Sequence, residues 1–343
     1  MPMKKRVTLK QVAEHAQVSP MTVSNFMNGR FNLMTPEMRQ KVEQSVRELN
    51  YRRNHGAHML RTSKLWSIGV IVVDASDHYL SDGYTTQIIA GISNTLNDGG
   101  FSVILQGVKP DAFDTSAMLR NVQTDGLCVL LSGSDAQRAH QFKLIREFQQ
   151  PTVLFLEAPD VPSDQICSVM QDDYVAARIL TQRVLKRRPR SVLIMTAGEN
   201  EWAAVNARVA GMRDEIAQSG GVEQLDIVPS GDGRHRDVIT ALNTHAAQHG
   251  YPEAIMCIND EIALGALKAL QRASVDVPGQ TCVTGFNAFG LHEITAQTLT
   301  TMQSPAYEMG CVGARELLQA LDTGSFDQTT ITLPAELVEG DTT

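Results

Sequence analysis

The spacing of apolar residues changes character near residue 66. Before it, apolar positions recur every three or four residues, as on short amphipathic helices. Thr8 with Gln11 forms a capping box, and Val12, Ala13 and Ala16 give the first helix its apolar face until it stops near Gln17. Ser19-Pro20 is a second start, an N-cap followed by proline at the first helical position, where a missing N–H costs nothing. Val23, Phe26 and Met27 follow at helical spacing, and Asn28-Gly29 closes the helix. Thr35-Pro36 repeats the start, with Met38, Val42, Val46 and Leu49 as the expected core stripe of a third helix. Two short helices joined by a tight turn at 16–19 make a helix-turn-helix.

Beyond residue 66, compact apolar runs at 67–73, 101–105, 126–131, 152–156, 191–195, 254–258 and 281–284 predict strands. Helical stretches lie between most of them, at 87–96, 135–148, 173–185, 203–217, 237–249 and 261–272. Such alternation predicts doubly wound parallel sheets. The units are too many for one comfortable sheet, so two α/β lobes are expected.

Composition sharpens this division. The chain has 343 residues, of which 43% are apolar and 20% charged, enough for two or three packed domains and too little charge for wholesale disorder. The net charge of −8 is unevenly spread: residues 1–65 hold twelve Lys/Arg against four Glu, a net of +8, so the remaining 278 residues carry −16. A small basic head suits a polyanion, and the acidic body does not. The longest apolar run, near 65–73, is well short of a membrane span. The basic start has no apolar stretch behind it and does not read as a secretory signal. The five Cys (128, 167, 257, 282, 311) are far apart and lack a Cys-x-x-Cys pair, which suits reduced thiols in a cytoplasmic protein.

The pattern V-T-L-x-x-V-A-x-x-A-x-V-S-x-x-T-V-S-x-x-x-N at 7–28, continued by Arg39, Val42 and the run from Leu49 to Asn54, resembles the N-terminal signature of the lactose-repressor (LacI/GalR) family of bacterial transcription regulators. The resemblance implies that the second helix enters the major groove, with Pro20, Met21 and Asn25 at base edges. It places Thr8, Ser19, Thr22, Ser24, Asn28, Thr35, Tyr51 and Asn54 at phosphates, a role that hydroxyls and amides suit. The family often carries Arg where this chain has Asn25; Asn favours adenine through N6 and N7. Pro20 and Met21 offer no side-chain donor, so apolar contact is expected there. Residues 53–65 resemble the family's hinge helix, with Asn54 as N-cap and Ala57 and Leu60 as the minor-groove residues, although the family's proline before Asn54 is Arg53 here. So short a helix containing Gly56 is expected to fold only on DNA.

The same resemblance implies a body of periplasmic-binding-protein type at 66–343, in two lobes of about 66–169 with 303–330 and about 170–302 with 331–343. Chain crossings are expected near 169–171, 301–304 and 328–333, and a helix over 308–318. Ligands of such sheets bind at the carboxyl ends of strands. Asp74, Tyr84, Trp202, Arg208, Asn259, Asp260 and Asn287 are the expected effector residues: an aromatic face with Arg, Asp and Asn forks, as a sugar or sugar derivative requires. Asp260 can alternatively cap the helix after it. Asn287 stands where the family usually has Asp, which allows an anionic effector or one that makes fewer charged contacts. The segment from Asp77 to Gly83 is about five residues longer than usual and is expected to rim the cleft or the dimer surface.

An enzyme is not expected, since no phosphate-loop, nucleophile-elbow or zinc-protease motif is present. No metal site or cofactor is expected from the nine scattered His. The expected function is an effector-responsive regulator, most simply a repressor, which binds a near-palindromic DNA operator as a homodimer in the bacterial cytoplasm. The tail beyond Glu336 has no leucine heptads, so a dimer is the default expectation and a dimer of dimers the alternative. The alternatives are a sugar-binding protein, or a DNA-binding regulator without a small-molecule effector.

Overall fold

The computed structural model describes residues 7–52, 64–159, 161–197, 202–231, 234–294 and 296–343. The chain divides into two compact units, Met1–Leu65 and Trp66–Thr343. Asn54, Ala57 and Leu60 of the expected hinge lie outside the described residues.

The first unit contains helices α1 (Leu9–Ala16), α2 (Pro20–Met27) and α3 (Pro36–Glu48). The three starts are capped as their sequences dictate. Thr8 and Gln11 form the full capping box, while Ser19 and Thr35 accept from the backbone N–H groups of Thr22 and Met38. Gln17 ends α1 in the left-handed region at φ 54°. Val12, Ala13, Ala16, Val23, Val42 and Tyr51 form the core. Met38 is a correction. It is 43% exposed, and the buried positions of α3 are Val42 and Ser45. The small Ser45 hydroxyl reaches His15 Nδ1 at 3.0 Å and so ties α3 to α1.

The second unit holds two parallel sheets. The first comprises β1 (Ser67–Val73), β2 (Ser102–Val108), β3 (Gly126–Leu130), β4 (Thr152–Phe155), β5 (Ile166–Gln171) and β11 (Thr330–Leu333), in the order β11-β5-β4-β3-β1-β2. The second comprises β6 (Ser191–Thr196), β7 (Gln224–Pro229), β8 (Ala254–Cys257) and β9 (Cys282–Thr284), in the order β7-β6-β8-β9. A short antiparallel pair, β10 (Thr301–Gln303) and β12 (Glu336–Val338), joins two of the crossing segments. The chain leaves the first sheet after Gln171 and again after Leu333, within the crossings expected near 169–171 and 328–333.

Helices cover both faces of each sheet, which is why the inner strands are apolar throughout. In lobe 1, α4 (Gly83–Asp98) and α11 (Ala306–Thr323) pack on one face, against Ile68, Val70 and Val72. The short α5 (Ala117–Arg120) and α6 (Asp135–Glu147) pack on the other, against Ile71 and Val73. In lobe 2, α7 (Asp173–Leu185) and α8 (Ala203–Ser219) cover one face; α9 (His235–His249) and α10 (Asp260–Arg272) cover the other. All five Cys are free and buried. No helix among the described residues is long and apolar enough to cross a membrane.

Candidate DNA interface and ligand cleft

On the head, α2 presents Met21 outward at 67% exposure, next to exposed Pro20 and half-buried Thr22, Ser24 and Asn25. Its buried side holds Val23, so packing fixes which face remains available. Thr8, Ser19 and Thr35 are exposed at helix N-termini, where free N–H groups and the helix dipole favour phosphate. Ser19 Oγ lies 2.9 Å from Thr22 Oγ1, so the two hydroxyls form one cluster. Asn28 donates Nδ2 to the Ser24 carbonyl at 2.7 Å and thus closes the C-terminal end of α2. Tyr51 is buried in the head core.

In the body, three of the seven expected ligand residues, Tyr84, Trp202 and Arg208, converge where the two lobes meet. Tyr84 lies in the first turn of α4, where Asp82 caps the helix by accepting from the N–H groups of Tyr84 and Thr85. The Tyr84 hydroxyl donates to Gln171 Oε1 at 3.1 Å, and its ring meets Phe289 edge-on at 5.8 Å. Burial pushes its phenol well above the ordinary value. Arg208, on α8, is 4% exposed. Its Nε donates to Asp173 Oδ1 at 2.6 Å and Nη1 to the Ile258 carbonyl at 2.8 Å. The guanidinium carbon stands 3.9 Å from the Phe286 ring centroid and 5.9 Å from that of Tyr84. Trp202 occupies the N-cap position of α8 and packs, with Ala204 and Phe289, against the apolar core of lobe 1. The two lobes therefore touch through aromatic side chains beside the Arg208 network.

The other expected residues do different work. The helix cap is Asn259, whose Oδ1 accepts from the Ile262 N–H at 2.8 Å, rather than Asp260. Asp260 accepts from the Thr301 hydroxyl at 2.6 Å and the Ala288 N–H at 2.7 Å, joining α10 to the crossing strand β10. Burial raises its carboxyl to about 6 against those hydrogen bonds. Asn287 lies along the same crossing at φ 107°; its N–H donates to the Met302 carbonyl at 2.8 Å and its Oδ1 lies 3.3 Å from Ser304 Oγ. Asp74 follows the last residue of β1 and accepts from the Ser76 N–H at 2.6 Å. Desolvation raises its carboxyl, and the charge of Asp82 adds to that.

Several members of this network escaped the sequence reading: Gln171, Asp173, Phe286, Phe289, Asp82 and Glu261. Asp173 sits at the start of a helix, which already accounts for an acidic residue, and nothing local marks its partner on α8. The 77–83 segment contains a short turn (Tyr79–Ser81) and an ion pair from Lys109 Nζ to Asp77 Oδ1 at 2.8 Å, which fastens it to the end of β2. Among the described residues, no group of three or more His, Cys, Asp or Glu could hold a metal ion.

Comparison with known families decides the identity. Residues 65–339 match the family described as periplasmic binding proteins and sugar binding domain of LacI family, and residues 8–54 match bacterial regulatory proteins, lacI family. The chain belongs to the LacI family. Among its curated relatives, catabolite control protein A of Staphylococcus xylosus is 28% identical over 331 residues, covering 96% of each chain. The LacI-family architecture recurs in a solved structure of the Lac repressor bound to ONPG in its repressed state, with a TM-score of 0.82 at 23% identity over 99% of this chain and all of that one. A complex of the regulator CelR with cellobiose has a TM-score of 0.70 at 22% identity, covering 98% of this chain and 100% of that one. The chain is thus a transcriptional regulator with a helix-turn-helix head and an α/β body of sugar-binding type.

Proposed function

We propose that this LacI-family regulator represses transcription by binding a near-palindromic operator as a homodimer, and that a small sugar or sugar derivative in the cleft controls it. It acts by binding rather than by catalysis, in the cytoplasm and on the nucleoid. The observation that carries this reading is the buried Tyr84–Gln171–Asp173–Arg208 network, which bridges the two lobes of a chain that also carries a helix-turn-helix.

Pro20, Met21 and Asn25 read bases, and the hydroxyls and amides around the three helix starts hold phosphates. Ala57 and Leu60 enter the minor groove, with Asn54 capping their helix. Tyr84, Trp202 and Arg208 meet the ligand, with Asp74, Asn259, Asp260 and Asn287 around them. A ligand that favours one spacing of the lobes shifts the population between DNA-competent and incompetent dimers, by as much as its affinities for the two differ. Support comes from related structures, one of them a Lac repressor dimer bound to operator and the anti-inducer ONPF, with a TM-score of 0.81.

The test is thermal unfolding of the protein against neutral sugars, sugar phosphates, sugar acids and nucleobases, followed by operator release with each binder. A native-state ligand must raise the midpoint by linkage. A carbohydrate that raises the midpoint and changes operator affinity supports the reading. A response to nucleobases alone contradicts the sugar.

A further inference from the structure

Arg208 is already spoken for within the chain. Nε and Nη1 are engaged by Asp173 and the Ile258 carbonyl, and Phe286 lies against the guanidinium face. Asp173 is equally buried and is held in place by Gln171 Nε2, which donates to Oδ1 at 2.7 Å. Two further cations in lobe 1 also have acidic partners, one pair exposed and one buried. Lys109 pairs with Asp77 at 2.8 Å, and Arg138 with Glu157 at 2.9 Å. Asp74, Asp82 and Glu261 have no ion pair among the described residues, yet Asp74 and Glu261 both feel the charge of Asp82.

We propose that Asp173 sets the ligand class of this cleft: by neutralising Arg208 it leaves a hydrogen-bond donor for neutral, hydroxyl-bearing ligands and bars anions such as sugar acids and sugar phosphates. The inference rests on the cleft being the effector site. An anion brought to Arg208 is also brought to Asp173, so the attraction of one is offset by the repulsion of the other. The half-buried Asp74 and Glu261 and the exposed Asp82 add only repulsion toward an anion. A neutral hydroxyl meets no such opposition. It can accept from Nη2 of Arg208, which takes no partner among the described residues. Burial raises the carboxyls of Asp173, Asp74 and Glu261, and the charge of Asp82 adds to the rise at Asp74 and Glu261. Asn287 in place of the family's Asp therefore does not make the cleft hospitable to anions.

The experiment is calorimetric titration of the full-length protein with neutral hexoses and disaccharides, each beside its uronic acid and its 6-phosphate. Wild type, Asp173→Asn and Asp173→Ser are compared after circular dichroism confirms folding. The expected result is that wild type binds a neutral sugar at least about tenfold more tightly than either anionic counterpart, a gap of about 1.4 kcal/mol. The Asp173 variants narrow that gap by a similar factor. If neither variant folds, the selectivity of wild type decides. A wild type that binds the anion as well as the neutral sugar, or folded variants with unchanged selectivity, overturns the proposal. If that binding is lost in Arg208→Lys, the cleft reading survives the failure. If no sugar of any charge binds, the cleft reading falls and the proposal with it.

Discussion

Arg208 Nε and Asp173 Oδ1 stand 2.6 Å apart, on helices α8 and α7, with both side chains about 95% buried. Each charge is tolerable there because of the other. Arg208→Ala leaves a buried carboxylate without its cation, so the body should lose about 3–5 kcal/mol in urea unfolding. Adding Asp173→Ala should recover part of that loss. A double-mutant cycle with no coupling would show that the pair does not act as a unit. This outcome also bears on any ligand experiment that uses Arg208→Ala, whose lost response must be separated from lost folding.

The pair illustrates what the sequence reveals and what it conceals. Thr8, Ser19 and Thr35 were legible as caps because a cap is a local event, completed within three residues. Most parallel strands were legible because burial on both faces leaves near-continuous apolar runs. β7 was not: it is an edge strand, Gln-Leu-Asp-Ile-Val-Pro, with Ile227 exposed and Asp226 held by His245 at 2.9 Å. β5 and the crossing strands were legible only as places where the chain changes lobe. Met38 fits a helical stripe, yet the head core is too small to reach the first turn of α3. The roles of Gln171 and Asp173 depend on Tyr84 and Arg208, brought together from 87 and 35 residues away.

Asp260 makes a pH prediction. Its carboxyl is raised from 3.8 to about 6, so the folded protein holds this proton more tightly than the unfolded chain does. The resulting stability is fully present below the unfolded pKa and is lost as pH rises through the folded value. Stability from this group should therefore fall by up to about 3 kcal/mol between pH 4 and pH 7. Asp260→Asn should flatten the urea midpoint over that window relative to wild type. Parallel pH profiles for the two proteins would refute this assignment.

Helices α4 and α11 approach closely enough that a Cβ on Gly310 would overlap the Ile88 carbonyl, and one on Gly91 would overlap the Tyr307 carbonyl. Backbone atoms have no rotamer with which to make room. Gly310→Ala should destabilise the body by about 1–3 kcal/mol through forced separation of the helices. Thermal unfolding checks it, and an unchanged midpoint would mean that the helices separate freely.

Asn25 is half-buried on α2, two residues beyond the buried Val23. If it forks to an adenine, Asn25→Ala should cost about 1–3 kcal/mol at one position of each half-site and relax the preference there. Thr35→Ala, which removes a cap, should instead lower head stability by about 1 kcal/mol. Binding to a panel of single-base operator variants separates the two effects. A uniform loss for Asn25→Ala across the panel would assign it to the backbone.

The proposed function depends on recognition of a specific operator through the helix-turn-helix of a symmetric dimer. The most direct test is selection of bound duplexes from a random library by the full-length protein at about 0.15 M salt, where non-specific phosphate attraction is weakened. The expected product is a near-palindrome of two half-sites whose consensus changes with Asn25→Ala. Recovered duplexes with no common sequence, or a consensus without two-fold symmetry, would contradict it.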